Sequence, residues 1–178
     1  MILATDRLRL RTWEDRDRGV LAAMHAHPEV MADYGGVLDR AASDAKLDRY
    51  AAAWDRHGFG RWLVETPAGE FLGYAGVTPG SGQHPLGPHV EIGWRFVREA
   101  WGHGYATEAG RAALADAFGR AGLAEILSYT APDNLRSQAV MGRLGLARDP
   151  SRDFTAQYDT APAWRGLVWV ARPSDYRQ

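Results

Sequence analysis

The segment Val90 to Arg111, VEIGWRFVREAWGHGYATEAGR, constrains this chain more than any other, because an apolar run passes through a glycine-punctuated loop directly into an amphipathic one. The first part has the alternation of a strand and the last part the spacing of a helix. Gly102 and Gly104 lack a Cβ, so the loop between them can take backbone angles closed to other residues and turn its N–H groups around an anion. The helix that follows adds unpaired N–H groups and the positive end of its dipole. Neither common nucleotide fingerprint fits: no Lys-Ser/Thr follows the glycines, and their spacing is not G-x-G-x-x-G. On this segment alone, a tight turn without a ligand and a cradle for another phosphate compound stand as alternatives.

A second segment, Glu125 to Leu146, reads EILSYTAPDNLRSQAVMGRLGL: a strand, a Pro-Asp-Asn turn and a helix that stops near Gly145. Asn134 follows a strand end and opens that helix, which makes it an N-cap candidate. Ser137 lies one turn on and faces the same way.

Taken together, the two segments resemble the GNAT superfamily of acyl-CoA-dependent N-acetyltransferases, in particular its RimJ/RimL-like branch. The loop of that branch reads W-G-x-G-Y-A-T-E-A, matched by Trp101 to Ala109, and its later helix N-x-x-S-x-x-V-M-x-x-L-G, matched by Asn134 to Gly145. The similarity runs from about Leu8 to Leu146. It implies an α/β GNAT fold: a central mixed, mostly antiparallel sheet whose fourth and fifth strands splay apart, with flanking helices and acetyl-CoA as cosubstrate in the V.

The resemblance also assigns residues. Backbone N–H groups of Gly102, His103, Gly104, Tyr105 and Ala106 would hold the pyrophosphate, with the Thr107 hydroxyl as an extra donor. Phe96, Val97 and Arg98 would pair main chain with the pantetheine amides in the manner of an added strand, and Asn134 would reach the same arm, a role that competes with capping. Ser137 would sit near the leaving thiolate. Many relatives place a tyrosine acid where this chain has Met141, which cannot do that work and is expected in the core. Glu91, on the strand before the cradle, is the candidate general base through a water if burial raises its pKa; a solvent-exposed or salt-bridged strand carboxylate is the alternative. Glu108, in the first turn of the cradle helix, reads as a capping or dipole-related residue.

With 178 residues, one well-buried core and a single domain spanning 1–178 are expected. The 22 acidic and 21 basic residues nearly balance, so the overall field gives no reason to expect nucleic acid or an anionic membrane as partner. Without cysteine there is no disulfide, thiolate metal site or cysteine acyl-enzyme, so acyl transfer must be direct or use another nucleophile. His25 with His27, and His84 with His89, lack further ligands for a metal, and none is expected. No long apolar run suggests a membrane span or leader, and a soluble, cytoplasmic protein follows. Monomer and homodimer both remain open.

Along the chain, Arg7 to Trp13 reads as a first strand with a solvated arginine edge, Glu14 to His25 and Leu38 to His57 as helices, and the loop around Met31 to Val37 as part of the acceptor side. Gly60 to Thr66 and Phe71 to Thr78 form a hairpin pattern, and PGSGQHPLGP from Pro79 to Pro88 a surface connection. His89 to Val97 and Glu125 to Ala131 are predicted strands, Tyr105 to Ala121 and Asn134 to Leu144 helices, and Gly166 to Val170 a last strand. After Leu146 the branch commonly carries histidines in a D-F-D-H-P-like segment and an H-V-L-Y-R-like strand; here Asp153 to Gln157 and Arg165 to Val170 have none. The expected function is acetyl transfer to a primary amine, either a protein N-terminus or a small molecule. The alternative is a non-catalytic acyl-CoA-binding sensor or regulatory module.

Overall fold

Three helices on one face, two on the other and a nine-stranded sheet between them make up the computed structural model, which describes residues 1–80, 82–158 and 161–176. In chain order the strands are β1 (Ile2–Ala4), β2 (Arg9–Arg11), β3 (Arg61–Glu65), β4 (Phe71–Pro79), β5 (Val90–Phe96), β6 (Ile126–Thr130), β7 (Ala147–Arg148), β8 (Phe154–Tyr158) and β9 (Ala161–Ala171); the helices are α1 (Arg18–His25), α2 (Pro28–Met31), α3 (Arg40–His57), α4 (Tyr105–Gly119) and α5 (Leu135–Arg143). The order across the sheet is β1-β2-β3-β4-β5-β6-β9-β7, with β8 pairing β9. Every ladder is antiparallel except β5 with β6. Those two are the strands expected to splay, counted fifth and sixth here because Ile2–Ala4 adds one at the start.

Local chemistry sets the helix ends. Asp39 caps α3 by accepting the Ala42 N–H at 2.8 Å, and Gly58 closes it in the left-handed region at φ +70°. Alternation along the strands divides the core in two. Trp62, Val64, Ala75, Ile92, Phe96 and Ile126 pack with α4 and α5 on one face. Leu63 and Tyr74 pack with Leu21, Met24, Leu47 and Tyr50 from α1 and α3 on the other. Further along that second face, Leu127, Val168 and Val170 are covered by Phe154 and Ala156 of β8.

Three expectations change. The arginine edge of the Arg7 to Trp13 run is solvated only in part: Arg7 is exposed, but β1 pairs along β2 and Arg11 is buried, its guanidinium forking to Asp17 at 2.7 and 2.8 Å and to Glu65 at 3.0 Å. Period-two reading registers which positions face the core but is blind to a partner carboxylate 54 residues away. The predicted Glu14 to His25 helix begins as a 3-10 turn at Asp15–Asp17, because Asp17 turns back to accept the Glu14 N–H. The Met31 to Val37 loop is ordered by α2 and a 3-10 turn at Ala32–Tyr34.

His25 on α1 is fully buried, with Nδ1 2.9 Å from the Ser43 hydroxyl and Nε2 without a partner. Burial first, then the charges of Lys46 and Arg95, push its pKa down to about 4. An unfolded chain therefore takes up a proton between pH 6.5 and about 4 that the fold refuses. The stabilisation is complete above pH 6.5 and is lost as the pH falls through that window, by at most about 3 kcal/mol. Urea midpoints measured across that window are expected to drop toward low pH, and His25→Asn should flatten the slope whatever it does to stability at pH 7.

Candidate functional site

The β5–β6 ladder holds a single bridge, Glu91 with Leu127. Just beyond it the Ser128 hydroxyl donates to the Ile92 carbonyl at 3.1 Å, while on the other side Val97 N–H donates to the Leu72 carbonyl at 2.9 Å. Because main-chain groups alternate in direction along a strand, those two bonds fix the pattern: Ile92, Trp94 and Phe96 turn their N–H and C=O toward β6. The Phe96 carbonyl accepts the Trp101 indole N–H at 3.0 Å. With no second bridge, the main chain of Trp94 and the Phe96 N–H face a gap between the strands.

Above this gap lies the glycine loop. Gly102 and Gly104 both sit in the left-handed region, at φ +80° and +79°, and Gly104 opens α4. The N–H groups of Gly102, His103, Gly104, Tyr105 and Ala106 donate to no acceptor among the described hydrogen bonds, whereas Thr107 and Glu108 N–H both return to the Gly104 carbonyl at 3.1 Å. Five successive amides at the positive end of a 15-residue helix make a site for a negative group. Cations ring it. Arg7 donates to the His103 carbonyl at 3.0 Å and lies over the Tyr105 ring, and the Trp101 ring is flanked by Arg98 and Arg136 at 4.8 and 4.1 Å.

Glu108 does not cap its own helix. Its carboxylate accepts from the Thr5 hydroxyl at 2.6 Å, the Arg7 N–H at 3.1 Å and Arg7 Nε at 2.7 Å, so it pins the β1–β2 turn to the cradle. Burial opposes its charge, yet these bonds together hold it below the usual carboxylate range.

At the opening of α5, Asn134 Oδ1 accepts the Ser137 N–H at 3.2 Å, which is the capping bond, and Nδ2 donates to Asp33 at 3.4 Å. The Ser137 hydroxyl has no partner among the described hydrogen bonds and is part-buried. Met141 is in the core. Asp33 also accepts from Arg95 at 2.7 Å, and Arg95 donates to the Val30 carbonyl. One carboxylate thus ties the turn after α2 to β5 and to α5. Sequence reading passed over Asp33, Arg95 and Arg61, since each is a single charged residue whose partners are distant in the chain.

Glu91 faces the α1–α3 side, and its Oε1 accepts from Arg61 Nη2 at 2.7 Å. The register explains the reach. Arg61, Gly76 and Gly93 lie side by side on β3, β4 and β5, and two adjacent glycines leave a lane across the sheet. The buried Arg61 side chain fills that lane, donating to the Gly76 carbonyl on its way to Glu91. A Cβ on Gly93 would fall 2.9 Å from Arg61 Nη1. Gly93→Ala is therefore expected to fold, since a guanidinium end can swing aside, but to part Arg61 from Glu91. Slowly exchanging Arg61 guanidinium protons in NMR spectra of the native protein should become fast in this variant.

No group of three or more residues suited to hold a metal occurs among the described residues, and no described helix is long and apolar enough to cross a membrane.

Comparison with known proteins agrees with this architecture. The chain is 34% identical over 146 residues to the uncharacterized protein YkkB of Bacillus subtilis, covering 81% of this chain and 84% of that one. It is 37% identical over 109 residues to the FsC-acetyl coenzyme A-N(2)-transacetylase of Aspergillus fumigatus, covering 59% of this chain and 45% of that longer protein. The crystal structure of an acetyltransferase from Agrobacterium tumefaciens superposes with a TM-score of 0.81 at 28% identity, covering 97% of this chain and 94% of that one. Residues 7–147 match the family model described as the acetyltransferase (GNAT) domain, and the chain belongs to that family of acetyltransferases.

Proposed function

We propose that this protein moves the acetyl group of acetyl-CoA to a primary amine by direct attack on the thioester. The observation that carries the reading is the pairing of two features of the hydrogen-bond pattern: five amides at the head of α4 with no acceptor among the described hydrogen bonds, and a strand edge that loses its neighbour after one bridge. The first suits a pyrophosphate on Gly102 to Ala106, with the Thr107 hydroxyl beside it. The second suits an extended amide-bearing arm along Trp94 to Arg98, an added strand of ligand. A Trp94 or Phe96 N–H would then polarise the thioester carbonyl, an effect worth about 3 kcal/mol in comparable sites.

Glu91 is the carboxylate on the acceptor side of the gap and the candidate base through an ordered water, with Arg61 fixing its position. Ser137 would solvate the leaving sulfur. Asn134 would have to release Asp33 to reach the pantetheine arm, while its capping oxygen stays in place. The acceptor is either a protein N-terminus or a small amine, and we place the reaction in the cytoplasm. The relative named as an acetyl-coenzyme A transacetylase supports the donor. One observation favours the rival, a CoA-binding module without turnover: an Arg61 ion pair already occupies one oxygen of Glu91.

Calorimetric titration with acetyl-CoA, followed by thiol release on a panel of amines and N-terminal peptides, separates the two. Amine-stimulated release supports the enzyme; binding with no release across the panel supports the module. Gly104→Val should weaken acetyl-CoA binding about fivefold to a hundredfold in either case, because a branched residue at φ +79° is strained by about 1–3 kcal/mol, whereas its Cβ would meet protein only at an ordinary 3.6 Å from Arg7. Glu91→Gln should lower the rate by about a hundredfold and leave acetyl-CoA affinity unchanged.

A further inference from the structure

The connection between β4 and β5 closes on itself through Gly80 N–H to the His89 carbonyl and Gly87 N–H to the His84 carbonyl, both at 2.8 Å. Its two histidines thereby meet at 4.9 Å between ring centroids and pack on Tyr129 of β6, with Phe154 and Trp164 completing an aromatic wall. A side chain on Gly80 would overlap the His89 ring, so the loop is shaped around it.

The hydrogen bonds settle both tautomers. His89 Nδ1 lies 2.7 Å from the Gly87 carbonyl, which can only accept, so the ring proton is on Nδ1 and a lone pair is left at Nε2. That lone pair faces the Tyr129 hydroxyl at 3.4 Å. In His84 the roles are reversed: Nδ1 accepts the Leu86 N–H at 3.2 Å, leaving the proton on Nε2. Burial first and then His89 keep His84 below the usual histidine range, with Glu91 opposing. His84 is a neutral wall, and His89 carries the available base.

The place of this pair relates it to the reaction. Glu91 and Leu127 are bridge partners, so their side chains share a face, and the next residues on that face are Gly93 and Tyr129. Tyr129 thus stands across from Gly93, over which the Arg61 guanidinium lies, on the same side as Glu91, where the two strands are no longer paired. We propose that Tyr129 and His89 form a second proton acceptor for the incoming amine, Tyr129 touching the ammonium and His89 acting through it. This rests on the acetyl-transfer reading. Glu91, through its water, takes the first proton from the ammonium, and the neutral amine forms the C–N bond at the thioester carbonyl. As the second proton leaves that nitrogen for the Tyr129 oxygen, the phenolic proton passes to His89 Nε2, and the C–S bond breaks to release the thiolate. His89 releases its proton into the pocket of about 500 Å³ that it lines with Leu86, Val90, Leu127, Glu125 and Arg152. Among the described residues, the charged and titratable groups around the pair are His84 on its own connection, Tyr129 on β6, Glu91 on β5 with Arg61 of β3 upon it, and Glu125 and Arg152 across the pocket.

The test compares His89→Gln, Tyr129→Phe and the double variant in kcat/KM for the amine against pH, with acetyl-CoA affinity and thermal melting as checks. Each single change should cost about tenfold to a hundredfold and alter the acid side of the pH profile. The double variant should lose no more than the worse single one, since the two act as a unit. Wild-type turnover with an unaltered His89→Gln profile, or losses that multiply, overturns the proposal alone; a wild-type protein that acetylates no amine overturns it together with the acetyl-transfer reading. Nitrogen-15 NMR gives a readout independent of turnover: His89 is expected as the Nδ1–H tautomer with its Nε2 signal shifted in Tyr129→Phe, and an Nε2–H tautomer would sink the idea.

Discussion

The bridge between Glu91 and Leu127 is the last point at which β5 and β6 share main-chain bonds, and the site depends on its being last. A strand interior that turns N–H and C=O groups into an unpaired gap carries a cost of about 1–3 kcal/mol for each group left dry. Water or a ligand must meet them. The remainder of the sheet makes this opening tolerable: β5 is paired along its whole length with β4, and β6 along its whole length with β9. Each strand is anchored on its outer side, so the gap between them stays open without loosening the fold.

Arginine forks organise the α1–α3 side of that opening. Arg61 crosses two glycines to reach Glu91, Arg95 holds Asp33, and Arg11 holds Asp17 and Glu65, all with side chains nearly excluded from solvent. Such pairs add little net stability relative to apolar packing, but removing one partner leaves a buried charge, so each fixes a geometry. A planar guanidinium with several donors suits this use better than an ammonium. The one lysine, Lys46, is itself buried with its ammonium 3.8 Å from the Tyr34 ring centroid, a contact that holds the turn after α2 against α3.

Much of the framework was legible in the chain. The strand, loop and helix around Gly102 and Gly104, the cap at Asn134 and the core position of Met141 follow from local signals whose causes are local: positive φ at glycine, a side-chain oxygen within three residues of an amide, and helical spacing. The salt-bridged alternative for Glu91 was legible as a possibility, but its partner was not. Arg61 reaches it only because β3, β4 and β5 align Arg61, Gly76 and Gly93 in register. The arginine edge of β2 was misread for the same reason, since Glu65 arrives from another strand.

The histidines show the division most clearly. Read along the chain, His84 and His89 were a pair without further metal ligands, and the histidines usual after Leu146 in similar chains were missing. In the fold, the connection carrying them closes over β6 and seats His89 against Tyr129. Sequence by itself determined where the backbone turns, caps and alternates, because those preferences act over a few residues. Tertiary structure alone decided which charges and ring nitrogens face one another, because strand pairing brings together residues 30 to 60 positions apart with a register that no local preference encodes.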